Sequence, residues 1–409
     1  MKSVLFGWEL GANLGHAKPL ASIANQLRGD GVRIVVAARD LLYARVAFAG
    51  IEAQLLQAPI WPDHRHFGSD TGEGSYLDIL VNIGFADRAK LAAVVAGWIA
   101  LLDLAEPDAI VADHSPGLLL AARIRDIPVV QVGSGYTMPP VEYDRLPPIR
   151  ADRAAIVPES RVASVAAGVA AAYGAWAPQS LLDIFRTRAR IVFGCPELDV
   201  YAPFRREPLC LPPEPLPEFI AAPVEPRLFV YLGPDVPGID QLLQVLTELN
   251  IPLEAYLRGE AAPLGQFLTL RGHRVHDTPP ALADVLPNVS HVLSAGGVFT
   301  CHAALAAGRP LLGLPQHGEA LLNITALEKL GSGRRLEPWS DEKALRNALL
   351  AFLRDHTLLR QAQHWAKVLG ARHQPDGLQA AAGAIRQCLG MSATGSATAA
   401  GAMAPQTNP

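Results

Sequence analysis

The feature that most limits how this chain can fold is a break in texture just past its middle. Before the break, short β-rich runs at Val4–Phe6, Arg33–Ala37, Ala109–Ala112, Val129–Val132 and Arg190–Phe193 alternate with helical stretches such as Ala17–Leu27 and Gly117–Ile124. After it a second series begins at Leu228–Leu232 and continues through Leu253–Tyr256, His291–Leu293, Leu311–Leu314 and Gly333–Leu336. Strands separated by helix-length segments cannot close as hairpins; they pair in parallel, with the helices crossing over the sheet faces. The break itself, Arg206–Pro226, carries Pro208, Pro212, Pro213, Pro215, Pro217, Pro223 and Pro226. Proline lacks a backbone donor and fixes φ, so this stretch is predicted to be an interdomain linker, with the cleft beside it.

Length agrees with two sheets, because 409 residues is about twice what one hydrophobic core usually organises. The expected division is an N-terminal α/β domain over residues 1–205, the linker 206–226, a second α/β domain over 227–372, and a C-terminal helix over 373–390. Residues 391–409, mostly Ala, Ser, Thr and Gly, offer nothing large to bury and are expected to be disordered.

Half the residues are hydrophobic and 18% are charged, with a formal net charge of −4. That excludes a disordered chain and gives no electrostatic footprint for nucleic acid. Glu9 arrives before a signal-peptide apolar run is complete, so a cytoplasmic location is expected. The windows Leu91–Leu104 and Val162–Trp176 are read as buried helices rather than membrane spans, with peripheral membrane contact left open. Cys195, Cys210, Cys301 and Cys388 lack CxxC spacing and suggest reduced thiols, not zinc or disulfides. Asp63-His64-Arg65-His66 has a spacing that fits a metal but no further ligand cluster; it is read as a polar loop, and no metal is expected.

Three constellations carry chemistry. Gly15-His16-Ala17-Lys18-Pro19 follows the first strand and its turn and opens an amphipathic helix. His16 then faces the crest of the sheet, where α/β proteins place ligands, and the positive end of the helix is expected to lower its pKa and keep it a neutral base. The competing reading is a capping or packing histidine. In Pro107–His114 an apolar strand ends at Asp113, where a carboxylate can accept the other ring N–H of His16; the plainer alternative is a helix N-cap. Ser294-Ala295-Gly296-Gly297-Val298-Phe299-Thr300 is a strand-to-helix turn. Its paired glycines let backbone N–H groups approach an anion, and Thr300 adds a hydroxyl, so it is a candidate phosphate site, with a generic tight turn as the alternative.

On these residues the chain resembles the GT-B glycosyltransferases, above all the bacterial antibiotic and macrolide enzymes related to the UDP-glycosyltransferase family. The family's GHxxP motif stands as Gly15-His16-Ala17-Lys18-Pro19, and its C-terminal signature is matched without a gap at Gly296, Gly297, Thr300, Ala304, Leu305, Gly308, Pro310, Pro315 and Asn323. The resemblance implies two Rossmann-like domains facing each other across a cleft, with His16 as catalytic base and Asp113 as its partner. It implies donor contacts from Ser294, Gly296, Gly297, Val298, Phe299, Thr300, Glu319 and Asn323. Trp8, Trp61 and Tyr76 are expected beside the cleft as acceptor-stacking rings, although any one such ring is more often core. The ligands implied are a small-molecule acceptor and a UDP- or dTDP-sugar, with no metal and no other cofactor, in an inverting hexosyl transfer. Oligomeric state is left open.

The sequence departs from the family pattern at Ala295 in place of the phosphate-binding His, Phe299 in place of a small turn residue, Ala303 in place of the ribose-binding Glu, and Glu319-Ala320 in place of Asp-Gln. His302, His317 or Ser294 can supply one missing contact, and Glu319 keeps a carboxylate for sugar hydroxyls. Without a carboxylate at 303 the expected preference between UDP and dTDP is weak or tilted to dTDP. These departures define the alternative, a non-catalytic nucleotide-sugar-binding or partner protein with a degenerate donor site. A sugar-nucleotide epimerase needs acid/base groups around the sugar that the sequence does not supply.

Overall fold

The computed structural model describes residues 1–62, 74–174, 176–233, 236–259 and 262–391. Asp63, His64, Arg65 and His66 lie outside the described residues, as does the tail expected to be disordered, beyond Met391.

Two all-parallel sheets account for the described strands. The first contains β1 (Ser3–Trp8), β2 (Arg33–Ala38), β3 (Gln54–Gln57), β4 (Ala109–Asp113), β5 (Val129–Ser134), β6 (Ala189–Phe193) and β7 (Leu209–Cys210), in the order β3-β2-β1-β4-β5-β6-β7. The second contains β8 (Leu228–Leu232), β9 (Leu253–Leu257), β10 (Arg274–Val275), β11 (His291–Ser294), β12 (Leu311–Gly313) and β13 (Gly333–Arg335), in the order β10-β9-β8-β11-β12-β13. Every residue of β1, β4 and β5 is buried, because a parallel sheet carries helices on both faces and needs apolar side chains on both. Alternation divides them: Leu5, Val35, Ile110 and Ala112 join one cluster, while Val4, Phe6, Trp8, Val36 and Val111 join the other.

The stretch expected as a linker without regular structure is partly strand. Leu209 and Cys210 pair in parallel with Val192 and Phe193, so the first sheet reaches into it before Pro212 and Pro213 end the pairing. The windows Leu91–Leu104 and Val162–Trp176 fall largely in helices Arg88–Ala105 and Glu159–Ala171, which bury Leu91, Val95, Trp98, Val162 and Ala166. No described helix is long and apolar enough to cross a membrane.

The C-terminal helix, Gly377–Cys388, does not stay with the second sheet. It returns to the first, where Ala381, Ala382, Ile385 and Leu389 enter the cluster of Val4, Phe6 and Ala17. Arg386 Nε bonds Asp30 Oδ2 at 2.9 Å and its Nη2 donates to the carbonyl of Gln26 at 2.8 Å, fixing the helix beside the His16 helix, Leu14–Asn25.

Candidate functional site

In each sheet the chain order reverses at one place, between β1 and β4 in the first and between β8 and β11 in the second. At such a switch point the connections diverge to opposite faces and leave a crevice outside the strand ends. His16, Asp113 and the Ser294–Thr300 turn come from these places. Trp8 ends β1 in register with Asp113 at the end of β4, and Ser294 ends β11.

After β1 the chain turns through Gly11, at φ 85°, and Asn13, at φ 65°, into the His16 helix, placing His16 in its first turn. His16 Nδ1 lies 2.9 Å from Asp113 Oδ2, and the two side chains are 17% and 4% exposed. Asp113 is not the cap of the next helix; Ser115 is, and its Oγ donates to the carbonyls of Gly7 and Asp113. The indole of Trp8 stacks on the imidazole with ring centroids 5.7 Å apart. With Nδ1 engaged, Nε2 is left on the side of Gly11 and the cavity. The expected lowering of the His16 pKa does not hold. Burial pushes it down, but the charge and hydrogen bond of Asp113 and the charge of Glu319 outweigh that, and the imidazole titrates above its ordinary value.

The facing wall is the turn after β11. Gly296 sits at φ 86°, and a Cβ there would lie 2.9 Å from Ile324 Cγ1, so the position requires glycine. Gly296 N donates to Ser294 Oγ at 3.2 Å and Asn323 Nδ2 donates to Gly296 O at 3.0 Å. Gly297 then caps the helix Val298–Ala307 without a side-chain cap hydrogen bond. Between the two walls lies a cavity of about 660 Å3 lined by His16 and Asp113 on one side and by Ser294, Gly297, Val298, Phe299 and Thr300 on the other. Glu319, in the first turn of helix Gly318–Lys329, joins the walls by accepting a hydrogen bond from Ser134 Oγ at 3.2 Å.

The aromatic expectations are corrected. Trp8, Trp61 and Tyr76 are each at most 2% exposed and do not line the cavity. Trp61 donates its indole N–H to Glu9, whose other oxygen takes the N–H groups of Gly117 and Leu118 at 2.9 and 3.2 Å. Burial pushes Glu9 up to about 7. These rings build the support beneath the site. Asn323 is also buried, holding the Gly296 turn rather than facing a ligand. Ala303 is 3% exposed in the core of the second half, away from the cavity, so it is not placed to read a ribose. Of the proposed substitutes for the missing polar contacts, His302 is buried and pushed down to about 4 by burial, whereas His317 lines the cavity and accepts from Ala320 N at 3.4 Å.

Sequence reasoning missed Tyr43, His114, Ser134, Tyr136, Tyr231 and Arg258, all in the cavity wall. Several stand at strand ends, which was the available signal. His114 also holds a left-handed backbone, φ 44°, immediately after Asp113, with its ring 5.8 Å from that of His16; strain of this kind gathers at functional sites.

No protein-family model matches this sequence, and no curated protein matches it. Solved structures do. The calicheamicin glycosyltransferase CalG4 is similar with a TM-score of 0.65 at 20% identity, over 95% of this chain and 98% of that one. The spinosyn rhamnosyltransferase SpnG gives a TM-score of 0.62 at 16% identity, over 95% and 100%. SnogD from Streptomyces nogalater gives 0.58 at 18%, over 94% and 99%. SpnG has been solved with thymidine diphosphate and with the spinosyn aglycone, and VinC with dTDP. The likeness establishes the fold expected from the sequence, GT-B, with a Rossmann-like sheet on each side of the cleft.

Proposed function

We propose that this protein is a glycosyltransferase that moves a sugar from a nucleoside diphosphate sugar to a hydroxyl or amine of a small apolar acceptor, with inversion at the anomeric carbon. The observation that carries this reading is the His16–Asp113 pair, bonded at 2.9 Å and set in the cavity wall opposite the open helix end at Val298–Thr300. Asp113 fixes the tautomer and stabilises the imidazolium, so His16 Nε2 can take the acceptor proton. The acceptor oxygen then attacks the anomeric carbon as its bond to the diphosphate breaks and that electron pair leaves on the phosphate oxygen. One displacement from the face opposite the leaving group inverts the centre.

The N–H groups of the first turn at Val298–Thr300 and the positive end of that helix meet the charge that develops on the departing diphosphate. Glu319 stands where it can accept from sugar hydroxyls, since its present partner is itself a hydroxyl, that of Ser134. The wall also includes Leu10, Ile79 and Ile83, which suits an apolar acceptor carrying few polar groups.

A binding protein without transfer activity is the second reading, and Ala295 in the cavity wall favours it, because no side-chain donor stands there for a phosphate. Formation of a glycoside from a UDP- or dTDP-sugar, strongly slowed in His16→Ala while nucleotide binding persists, separates the two. Nucleotide binding with no glycoside from any acceptor supports the second.

A further inference from the structure

Besides the 660 Å3 chamber there is a second cavity of about 90 Å3 lined by Pro212, Pro213, Pro279, Pro280 and Leu282. The two share a wall made of Leu14, Gly15, Pro19, Tyr231, Phe299 and Thr300. Tyr231 belongs to β8 and meets Tyr256 edge-on, 5.3 Å between centroids, so its ring is held within the second half. Phe299 is different. It is the second residue of the helix Val298–Ala307, yet its ring packs on the first half, against the cluster that includes Ala17 and Leu20. Among the described residues it is the one side chain between Leu228 and Asp376 in that cluster. Its ring is only half-buried, and the residue lines both cavities.

We infer that Phe299 is the residue that sets donor admission: it divides the cleft, and a nucleoside diphosphate sugar seats only in the fraction of molecules whose Phe299 ring has left the shared wall. The inference rests on the glycosyl-transfer reading. A sugar placed at His16 with its diphosphate on the Val298–Thr300 turn puts the phosphates directly beside this residue, and a nucleoside reaching the proline-lined cavity has to pass it. The ring is held by apolar packing on the opposite half, so removing it costs that contact before any ligand contact forms. An apparent dissociation constant equals the intrinsic one divided by the competent fraction, so a closed majority weakens every donor alike, whatever its base or sugar.

The test is a volume series at one position, Phe299→Leu, Phe299→Ala and Phe299→Trp, titrated by calorimetry with dTDP and with UDP on the full chain. The expected result is a graded gain, with Phe299→Ala binding both nucleotides at least about tenfold more tightly than wild type through the larger competent fraction, Phe299→Leu between, and Phe299→Trp weaker. Melting temperatures of the series, measured alongside, identify any variant that has lost its fold, and the remaining members still define the trend. If wild type binds and smaller residues bind equally or more weakly, the gate is overturned while the transferase reading stands. If wild type binds neither nucleotide and Phe299→Ala binds them, the gate is supported. If no member binds either nucleotide at millimolar concentration, the transferase reading itself fails and the gate falls with it.

Discussion

Gly11 and His16 fit one another so closely that a Cβ built on Gly11 would fall 2.0 Å from His16 Nε2. The turn that follows β1 therefore does more than start a helix. Its φ of 85° and its missing side chain together leave the space in which the imidazole lies between Asp113 and the cavity.

Gly11→Ala is predicted to displace the imidazole and lower kcat by about 100-fold, the usual cost of a misplacement near 1 Å. Gly29 provides the control, because it has a similar φ of 88° and open space where a Cβ would go. Each substitution places alanine in the left-handed region, at about 1–2 kcal/mol. Gly29→Ala should show the stability loss in a denaturant titration with kcat intact. Equal kcat losses in both variants would mean that backbone strain, not the His16 contact, is responsible.

His16 and Asp113 should fail as a unit. His16→Ala is expected to cost on the order of 100- to 10,000-fold in kcat, the range of a positioned general base. Asp113→Asn should cost less, and the double variant little more than His16→Ala alone. Losses that simply add in log rate would separate the two residues and dissolve the pair.

The pH dependence follows from the sign of the His16 shift. The base works only when deprotonated, and Asp113 and Glu319 raise its pKa above the ordinary imidazole value despite the opposing effect of burial. On lowering the pH, kcat/KM should fall through an apparent pKa above 6.5. Glu319→Gln removes one of the raising charges and should move that limb to lower pH. A limb that stays in place would show that the carboxylate of Glu319 is not felt at His16.

Ile385 is fully buried in the cluster beneath the first sheet although it lies near the end of the chain. Ile385→Ala should destabilise the protein by about 2–5 kcal/mol, as for other large-to-small core changes. Thermal unfolding measures this, and a loss below about 0.5 kcal/mol, the size of an ordinary surface change, would mean that the C-terminal helix is not docked as described.

The parts of the fold that were legible in the sequence are those where burial leaves a long mark. β1, β4 and β5 are buried along their whole length and mostly apolar, and the turn at Gly296 is visible because only glycine meets its backbone demands. Three of the edge strands left little to read: β3 is bounded by two exposed glutamines, and β7 and β10 are two residues each. Periodicity located the C-terminal helix but not the sheet it covers, because an amphipathic pattern names a face and not its partner. Trp8, Trp61 and Tyr76 failed as cleft residues for a related reason: an aromatic side chain has the same composition in a core as in a wall, and only tertiary packing distinguishes them. His16 and Asp113 stand ninety-seven positions apart, and their pairing was inferable because both end up at the crest of one parallel sheet. Phe299, by contrast, was legible as a departure from a small-residue pattern but not as a bridge between the halves, since that depends on how they close.

The decisive measurement is proton NMR of the product formed when wild-type protein is incubated with a UDP- or dTDP-sugar of known anomeric configuration and an apolar acceptor bearing a hydroxyl. A single displacement driven by His16 predicts a glycoside whose anomeric configuration is opposite to that of the donor, formed by His16→Ala on the order of 100- to 10,000-fold more slowly. A glycoside with the donor's configuration retained, or one formed equally well by His16→Ala, would contradict the mechanism.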